Sequence, residues 1–283
     1  CTYPPEQQTE RGASNLANLS NLGFDVIAVR PAPQIYKRLV RQGILDFGNW
    51  CKSTEMSLYA SVPRVAVAYN IPLIFLGENP ALSWGSAGGS LDGDATRMKY
   101  CNTLQGGDIT PLLEAGVVEK EIIWYLYPSD ADMERANLRM VYLGYYIRDF
   151  NDYVNARIAI EHGMSIRQGN DAIPEDMGQI NDFDALDDDF IHLNQMLKYL
   201  KYGFGKVTEQ VSGAIRVGVM TREEAIELVR KYDGRCADRY VKRFCDYAGI
   251  PEDEFWQIAE SYRNKDVWEK DGNDDWKLKV PVE

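Results

Sequence analysis

Two clusters of side chains have the types and spacing to do chemistry. Gly77-Glu78-Asn79 directly follows Ile71-Pro-Leu-Ile-Phe-Leu76, an apolar run that reads as one buried strand. At a strand end, glycine lets a ligand come close to the backbone, while Glu78 and Asn79 could hold a metal, a ribose or an ammonium group. The alternative is an ordinary strand-end turn. The second cluster is Lys198-Tyr-Leu-Lys201-Tyr-Gly203-Phe-Gly205-Lys206-Val-Thr208, with Arg216 and Arg222 close behind. These three lysines and two arginines surround a Gly-x-Gly turn and would suit a phosphate or a sugar carboxylate. The alternative here is a solvated helix face that ends in a glycine cap.

The remaining reactive residues point away from a local centre. His162 and His192 lie far apart, and neither has a neighbouring Cys or second His at metal-ligand spacing. His162, before Gly163, reads as a helix-end residue, and His192 as a helix-surface residue. Cys236 and Cys245 are read as packing residues, and Trp124, Trp256 and Trp268 as core or interface aromatics. Asp187-Asp188-Asp189 falls at a helix start, where carboxylates complement the macrodipole. Chain order alone supports no Ser-His-Asp or Cys-His arrangement, and no metal ligand set is expected.

The elements that must position these groups alternate helix and strand in the first half. Leu16, Leu19 and Leu22 mark a helix over 9–22, stopped at Gly23. Phe24–Arg30 reads as a short strand. Helices are expected over 33–47 and 54–69, with Pro63 kinking or dividing the second. Strand 71–76 follows. Such βα units imply a parallel sheet covered by helices, with ligands beyond the carboxyl ends of its strands. That rule places Tyr3, Arg30 and Gly77-Glu78-Asn79 at one rim. Residues 80–111, rich in Gly, Ser and Asp, suit a functional lid. Strands are expected at Glu121–Tyr127 and Arg139–Tyr146, the latter leading to Arg148-Asp149, and a helix over Asn155–His162.

From Asp187 onward the pattern is helical. A stripe of Phe190, Leu193, Leu197 and Leu200 is followed by a capping-box start at Thr221-Arg-Glu-Glu224 and by short helices over 239–248 and 251–262. The domain division is therefore an α/β region over 1–165 and a helical region over 166–283.

Composition narrows the function classes. With 43 acidic and 31 basic residues the net charge is −12, which argues against a nucleic-acid binder working through bulk electrostatics. No apolar run approaches the roughly 20 residues needed to span a bilayer. Five cysteines without a CxxC pair suit reduced thiols and a cytoplasmic location. No initiator Met precedes Cys1-Thr-Tyr-Pro-Pro, which suggests a fragment whose amino-terminal piece is absent.

Several segments together resemble the N-acetyl sugar amidotransferases, PP-loop ATP pyrophosphatases of lipopolysaccharide O-antigen and pseudaminic or legionaminic acid pathways. They are Asn18-Leu-Ser-Asn-Leu-Gly-Phe-Asp25, Tyr69-Asn-Ile-Pro-Leu-Ile-Phe-Leu-Gly-Glu-Asn79 and Tyr142-Leu-Gly-Tyr-Tyr146. The strongest runs from Lys198 to Arg222, extended by Lys231-Tyr-Asp-Gly234 and Glu254-Phe-Trp256. The family's Ser-Gly-Gly-x-Asp-Ser phosphate loop and its amino-terminal cysteine pairs are not in this sequence. The resemblance puts both before Cys1. It implies an α/β fold, a parallel-sheet PP-loop (adenine nucleotide alpha hydrolase-like) domain lacking its first strand, with a helical carboxyl-terminal extension.

The resemblance further implies ATP-dependent conversion of a sugar acetamido group to acetamidino, with magnesium (Mg2+) on the nucleotide. Ammonia would come from a partner glutaminase subunit, and the substrate would be a nucleotide-activated N-acetyl sugar. Nucleic acid and membrane are not expected partners. Tyr3, Gly77, Glu78 and Asn79 would line the nucleotide side, with Glu78 the candidate catalytic residue that orients ammonia or the amide. Lys206, Thr208, Arg216 and Arg222 would hold the sugar's anionic part. The competing readings are another PP-loop transferase, such as one that modifies tRNA, and a non-catalytic scaffold module.

Overall fold

The computed structural model describes residues 7–77, 91–100 and 106–283. The chain divides into two units, one of residues 1–6, 16–43 and 50–162, the other of residues 7–15, 44–49 and 163–283. The expected Tyr3, Glu78 and Asn79 contributions, and much of the expected lid, lie outside the described residues.

In the first half, helices α1 (Glu10–Asn21), α2 (Pro33–Phe47) and α3 (Cys51–Ala68) precede strand β1 (Leu73–Leu76). Short helices α4 (Thr110–Glu114) and α5 (Asp130–Arg135) lead to β2 (Arg139–Tyr142), α6 (Leu143–Tyr146) and α7 (Asp152–Glu161). β1 and β2 pair in parallel, with Leu73 opposite Arg139 and Leu76 opposite Tyr142. Residues Gly93–Ala95 run along β2 in the opposite sense, through Tyr142 N–H to Gly93 O at 2.8 Å and Ala95 N–H to Met140 O at 2.9 Å. Two apolar clusters support this unit. Ile35, Leu39, Met56, Leu112, Ile122 and Tyr125 form one, and Ala66, Ile74, Met98, Met140 and Tyr142 form the other.

Several sequence expectations are corrected here. Glu121–Tyr127 is not a strand but two successive 3-10 turns, Glu119–Glu121 and Ile123–Tyr125. Ile122 and Tyr125, three residues apart, are both fully buried, and the Glu121 carboxylate accepts from the Val118 amide at 2.9 Å, which closes the turn. Arg139–Tyr146 is a strand only as far as Tyr142, where the chain turns into α6. Phe24–Arg30 forms no named strand among the described residues and carries a single bridge position at Ala28. Pro63 does not divide its helix. α3 runs continuously past it, anchored by buried Ala60 and Ser61 before it and Val65 and Ala66 after it. The parallel sheet is represented among the described residues by the β1–β2 pair.

The second unit is helical, with α8 (Pro174–Met177), α9 (Phe190–Tyr202), α10 (Lys206–Arg216), α11 (Arg222–Tyr232), α12 (Asp238–Ala248) and α13 (Glu252–Ser261). A hairpin of β3 (Trp268–Lys270) and β4 (Trp276–Leu278) follows. The Thr221–Glu224 capping box is present at the start of α11. Val207 and Val211 of α10 pack on Ala225 and Val229 of α11, while Phe244 of α12 meets Phe190 of α9 edge to face and Phe255 of α13 at a tilt. His192 is a correction: it is buried, not on the helix surface. No described helix is long and apolar enough to cross a membrane.

Candidate functional site

Because β1 and β2 run in parallel and in register, their carboxyl ends lie side by side, with Gly77 beyond one and Leu143 beyond the other. The rim they make carries the aromatic pair Tyr145 and Tyr146, whose rings meet edge to face at 5.1 Å and remain more than half exposed. A Cβ on Gly93 would lie 2.7 Å from the Tyr145 ring, and one on Gly144 would lie 2.8 Å from the Phe150 ring. Both glycines are therefore set by the aromatic side chains packed on them. Gly77 itself is exposed, and a Cβ there would meet only Phe150 at an ordinary 3.9 Å. Arg148 and Asp149 are exposed just past the tyrosines. Exposed aromatic faces beside an arginine and open backbone suit a planar, charged ligand. Sequence reasoning misses the aromatic contribution of Tyr145 and Tyr146, although the adjacent Tyr-Tyr doublet at a strand end is a usable signal.

The cation-rich segment is arranged differently from an open anion site. Gly205 opens α10, and the expected anion position at this helix start is taken by the protein's own Asp233. Its carboxylate accepts from Gly205 N–H at 2.8 Å, Val207 N–H at 3.0 Å and the Thr208 hydroxyl at 2.6 Å. Helix amides that would otherwise lack partners are satisfied this way. Lys206 forms an ion pair with Asp184 at 2.8 Å. Burial alone would raise the Asp184 pKa, but the Lys206 charge and hydrogen bonds from Lys206, Gln210 and the Ala185 amide hold it below its ordinary value. Lys198 pairs with Glu209, and Lys201 donates to Phe47 O at 2.8 Å. Arg222 donates to the Glu283 carbonyl. Of the four residues singled out for a sugar's anionic part, Lys206, Thr208 and Arg222 thus have internal partners. Arg216 is exposed at the last turn of α10, with no ion pair among the described residues.

A second polar centre has no sequence signal at all. The fully buried guanidinium of Arg167 bonds Asp171 at 3.1 Å, Asp189 at 2.9 Å and the Ala185 carbonyl. Arg11 reaches Asp171 at 2.6 Å and Arg243 reaches Asp189 at 2.8 Å. His192 lies against Tyr240 with ring centroids 4.7 Å apart. Burial and then the Arg167 charge push its pKa down to about 4. Asp188, which accepts from Gln7 at 2.8 Å and the Phe190 amide at 2.8 Å, is pushed up to about 7, first by burial and further by Asp187 and Asp189. Cys236 and Cys245 are raised to about 12 and about 11, chiefly by burial, so both stay protonated and unreactive. Among the described residues, no group of three or more His, Cys, Asp or Glu side chains could hold a metal.

These features define a polar-ligand rim in one unit and a self-satisfied ionic framework in the other. Residues 178–281, which cover α9–α13 and the hairpin, match the family model described as LPS biosynthesis protein WbpG-like, C-terminal domain. The match supports an LPS-biosynthesis family. A search of curated proteins finds no match to the chain.

Proposed function

We propose that the chain acts in surface-polysaccharide or flagellin-glycan biosynthesis as an ATP-dependent amidotransferase on a nucleotide-activated N-acetyl sugar. The observation that carries this reading is the match of residues 178–281 to an LPS-biosynthesis domain. The parallel β1–β2 rim, with its exposed tyrosines and Arg148, is the surface that suits the adenine nucleotide. An amide carbonyl is a poor electrophile. In the proposed reaction its oxygen attacks the α-phosphorus of ATP and pyrophosphate leaves. Ammonia from a glutaminase partner adds to the activated carbon, and AMP departs with the oxygen to leave the amidine. Glu78 is the proposed orienter of ammonia or the amide, and Tyr3, Gly77 and Asn79 the proposed nucleotide contacts. Arg216 is the cation of the α10 segment left exposed for an anionic sugar. Magnesium would travel with the nucleotide phosphates, and no step is assigned to a protein-held metal.

The complete gene product, given ATP, ammonium and a UDP-N-acetyl sugar, should release AMP and pyrophosphate in step with a sugar whose oxygen is replaced by NH. Mass spectrometry of the sugar and a pyrophosphate assay read both. Release of ADP and phosphate, or an unchanged sugar with intact protein, would reject the reading.

A further inference from the structure

The Glu254-Phe-Trp256 motif has no place in the reaction proposed above, yet its Trp256 lines a groove in the second unit. The outer face of α13 supplies Asp253, Trp256 and Gln257, and the hairpin supplies Lys265, Trp268 and Trp276. The groove measures about 1030 Å³. That is at the top of the range of roughly 300–1,000 Å³ for small-molecule sites, so it has room for more than one sugar ring.

The indoles are held in different ways. Trp268 is buried and its Nε1–H donates to Leu200 O at 2.9 Å. Arg263 lies 5.0 Å from the ring centroids of both Trp268 and Trp276, and its Nε–H is held by both Glu260 oxygens at 2.9 and 3.0 Å. The site an external cation would seek between these two rings already contains an internal one. Trp256 is the open platform. It is 42% exposed, and its ring contact is an edge-on approach of Phe255 at 5.3 Å.

The polar groups around this platform include both acceptors and donors. Asp253 and Gln257 are exposed on α13, one turn apart, and their side chains make no hydrogen bond among the described residues. Lys265 adds an ammonium from the hairpin side. The other charges of the lining have internal partners: Glu260 has Arg263, Glu269 has Lys277, Lys270 has Asp274, and Lys279 donates to Lys265 O. A purely apolar ligand would leave Asp253, Gln257 and Lys265 desolvated and unpaired, and a singly charged ligand would meet a like charge at either Asp253 or Lys265. A pyranose ring fits both requirements, because it has an apolar C–H face for stacking and a rim of hydroxyls that donate and accept.

We propose that this groove binds the pyranose rings of a neutral oligosaccharide, with Trp256 as the stacking platform and Asp253 and Gln257 as hydroxyl partners. This binding stands apart from the amidotransferase reaction, so either can fail without the other. The test follows the Trp256 indole N–H resonance, assigned by its loss in Trp256→Phe, while N,N′-diacetylchitobiose is titrated into the full chain. A saturable shift is expected. Trp256→Ala should weaken binding by about tenfold, the upper end of what one aromatic contact contributes, when affinity is read calorimetrically. Gln257→Ala should weaken it by a smaller factor, and Trp256→Tyr, which keeps a ring, should retain most of it. Trp256→Ala also loses the packed part of the ring, so its unfolding midpoint should fall, and binding is read well below that midpoint; Trp256→Tyr keeps most of the packing and should unfold close to wild type. Failure of the disaccharide to shift the resonance up to its solubility limit would overturn the proposal. So would a shift produced by trimethyl-lysine instead, or sugar affinity unchanged in folded Trp256→Ala.

Discussion

Replacing Asp233 by alanine removes the carboxylate that closes the start of α10, and the structure sets the size of the effect. Asp233 is 7% exposed and accepts from Gly205 N–H at 2.8 Å, Val207 N–H at 3.0 Å and Thr208 Oγ1 at 2.6 Å. Hydrogen bonds to a charged group contribute about 1.5–3 kcal/mol each, but three donors to one carboxylate do not add, and water enters the space left behind. A loss of about 3 kcal/mol for Asp233→Ala is expected on this basis. Asp233→Asn keeps one acceptor and turns an NH2 toward a donor, so it should cost about 2 kcal/mol. Thr208→Val, which removes one of the three bonds, should cost about 1 kcal/mol. Urea unfolding measures each value, and hydrogen exchange at the Val207 amide locates it. The same reasoning predicts that the vacated helix start in Asp233→Ala takes up sulfate. Sulfate should therefore raise the variant's midpoint more than the wild type's, relative to chloride at equal ionic strength. A variant within about 0.5 kcal/mol of wild type, the range of neutral surface substitutions, would refute the capping argument. Equal sulfate effects on both proteins would refute the claim that Asp233 fills an anion site.

Arg167→Ala should cost about 2–3 kcal/mol, because Asp171 and Asp189 lose their buried partner but keep Arg11 and Arg243, and urea unfolding checks this. Asp188 and His192 should titrate against each other. With a folded pKa raised to about 7, Asp188 holds its proton longer than the unfolded chain does, so its contribution falls as pH rises from about 4 to about 7. With a folded pKa lowered to about 4, His192 resists the proton the unfolded chain accepts, so its contribution is present above about 6.5 and falls as pH drops toward 4. Stability of Asp188→Asn should therefore decline on acidification more steeply than wild type, and His192→Phe should do the opposite; identical pH slopes in unfolding titrations would count against both shifts. Gly144→Ala should unfold earlier on heating, since its Cβ would lie 2.8 Å from the Phe150 ring, while Gly77→Ala, with only a 3.9 Å contact, should be near neutral.

Periodicity and caps make the helices legible in the amino-acid order itself. The Phe190–Leu200 stripe, the Thr221–Glu224 box and the glycine cap after Tyr202 are local signals, and each sits where the chain places a helix end or a buried face. The apolar run before Gly77 likewise identifies β1 as a strand but not its burial, since Ile74 is buried while Leu73 and Phe75 are exposed. Local pattern fails where a short apolar segment could serve either period. Ile122 and Tyr125 satisfy a 3-10 turn as well as a strand, and the choice is made by what packs on them: Leu39, Met56 and Leu112, all distant in sequence. The same applies to charge. Lys206 and the amides of Gly205 and Val207 look like an anion site in sequence, because their partners Asp184 and Asp233 lie more than twenty residues away on either side. Which cations neutralise an internal carboxylate and which stay exposed is a question of three-dimensional proximity, and spacing along the chain cannot encode it. Arg167, buried among carboxylates gathered from Asp171 and Asp189, has no sequence signature for that reason. The residue types that could do chemistry are evident from the sequence, whereas tertiary contacts decide which of them are left exposed, because a buried charge must be paired before it can be used for anything else.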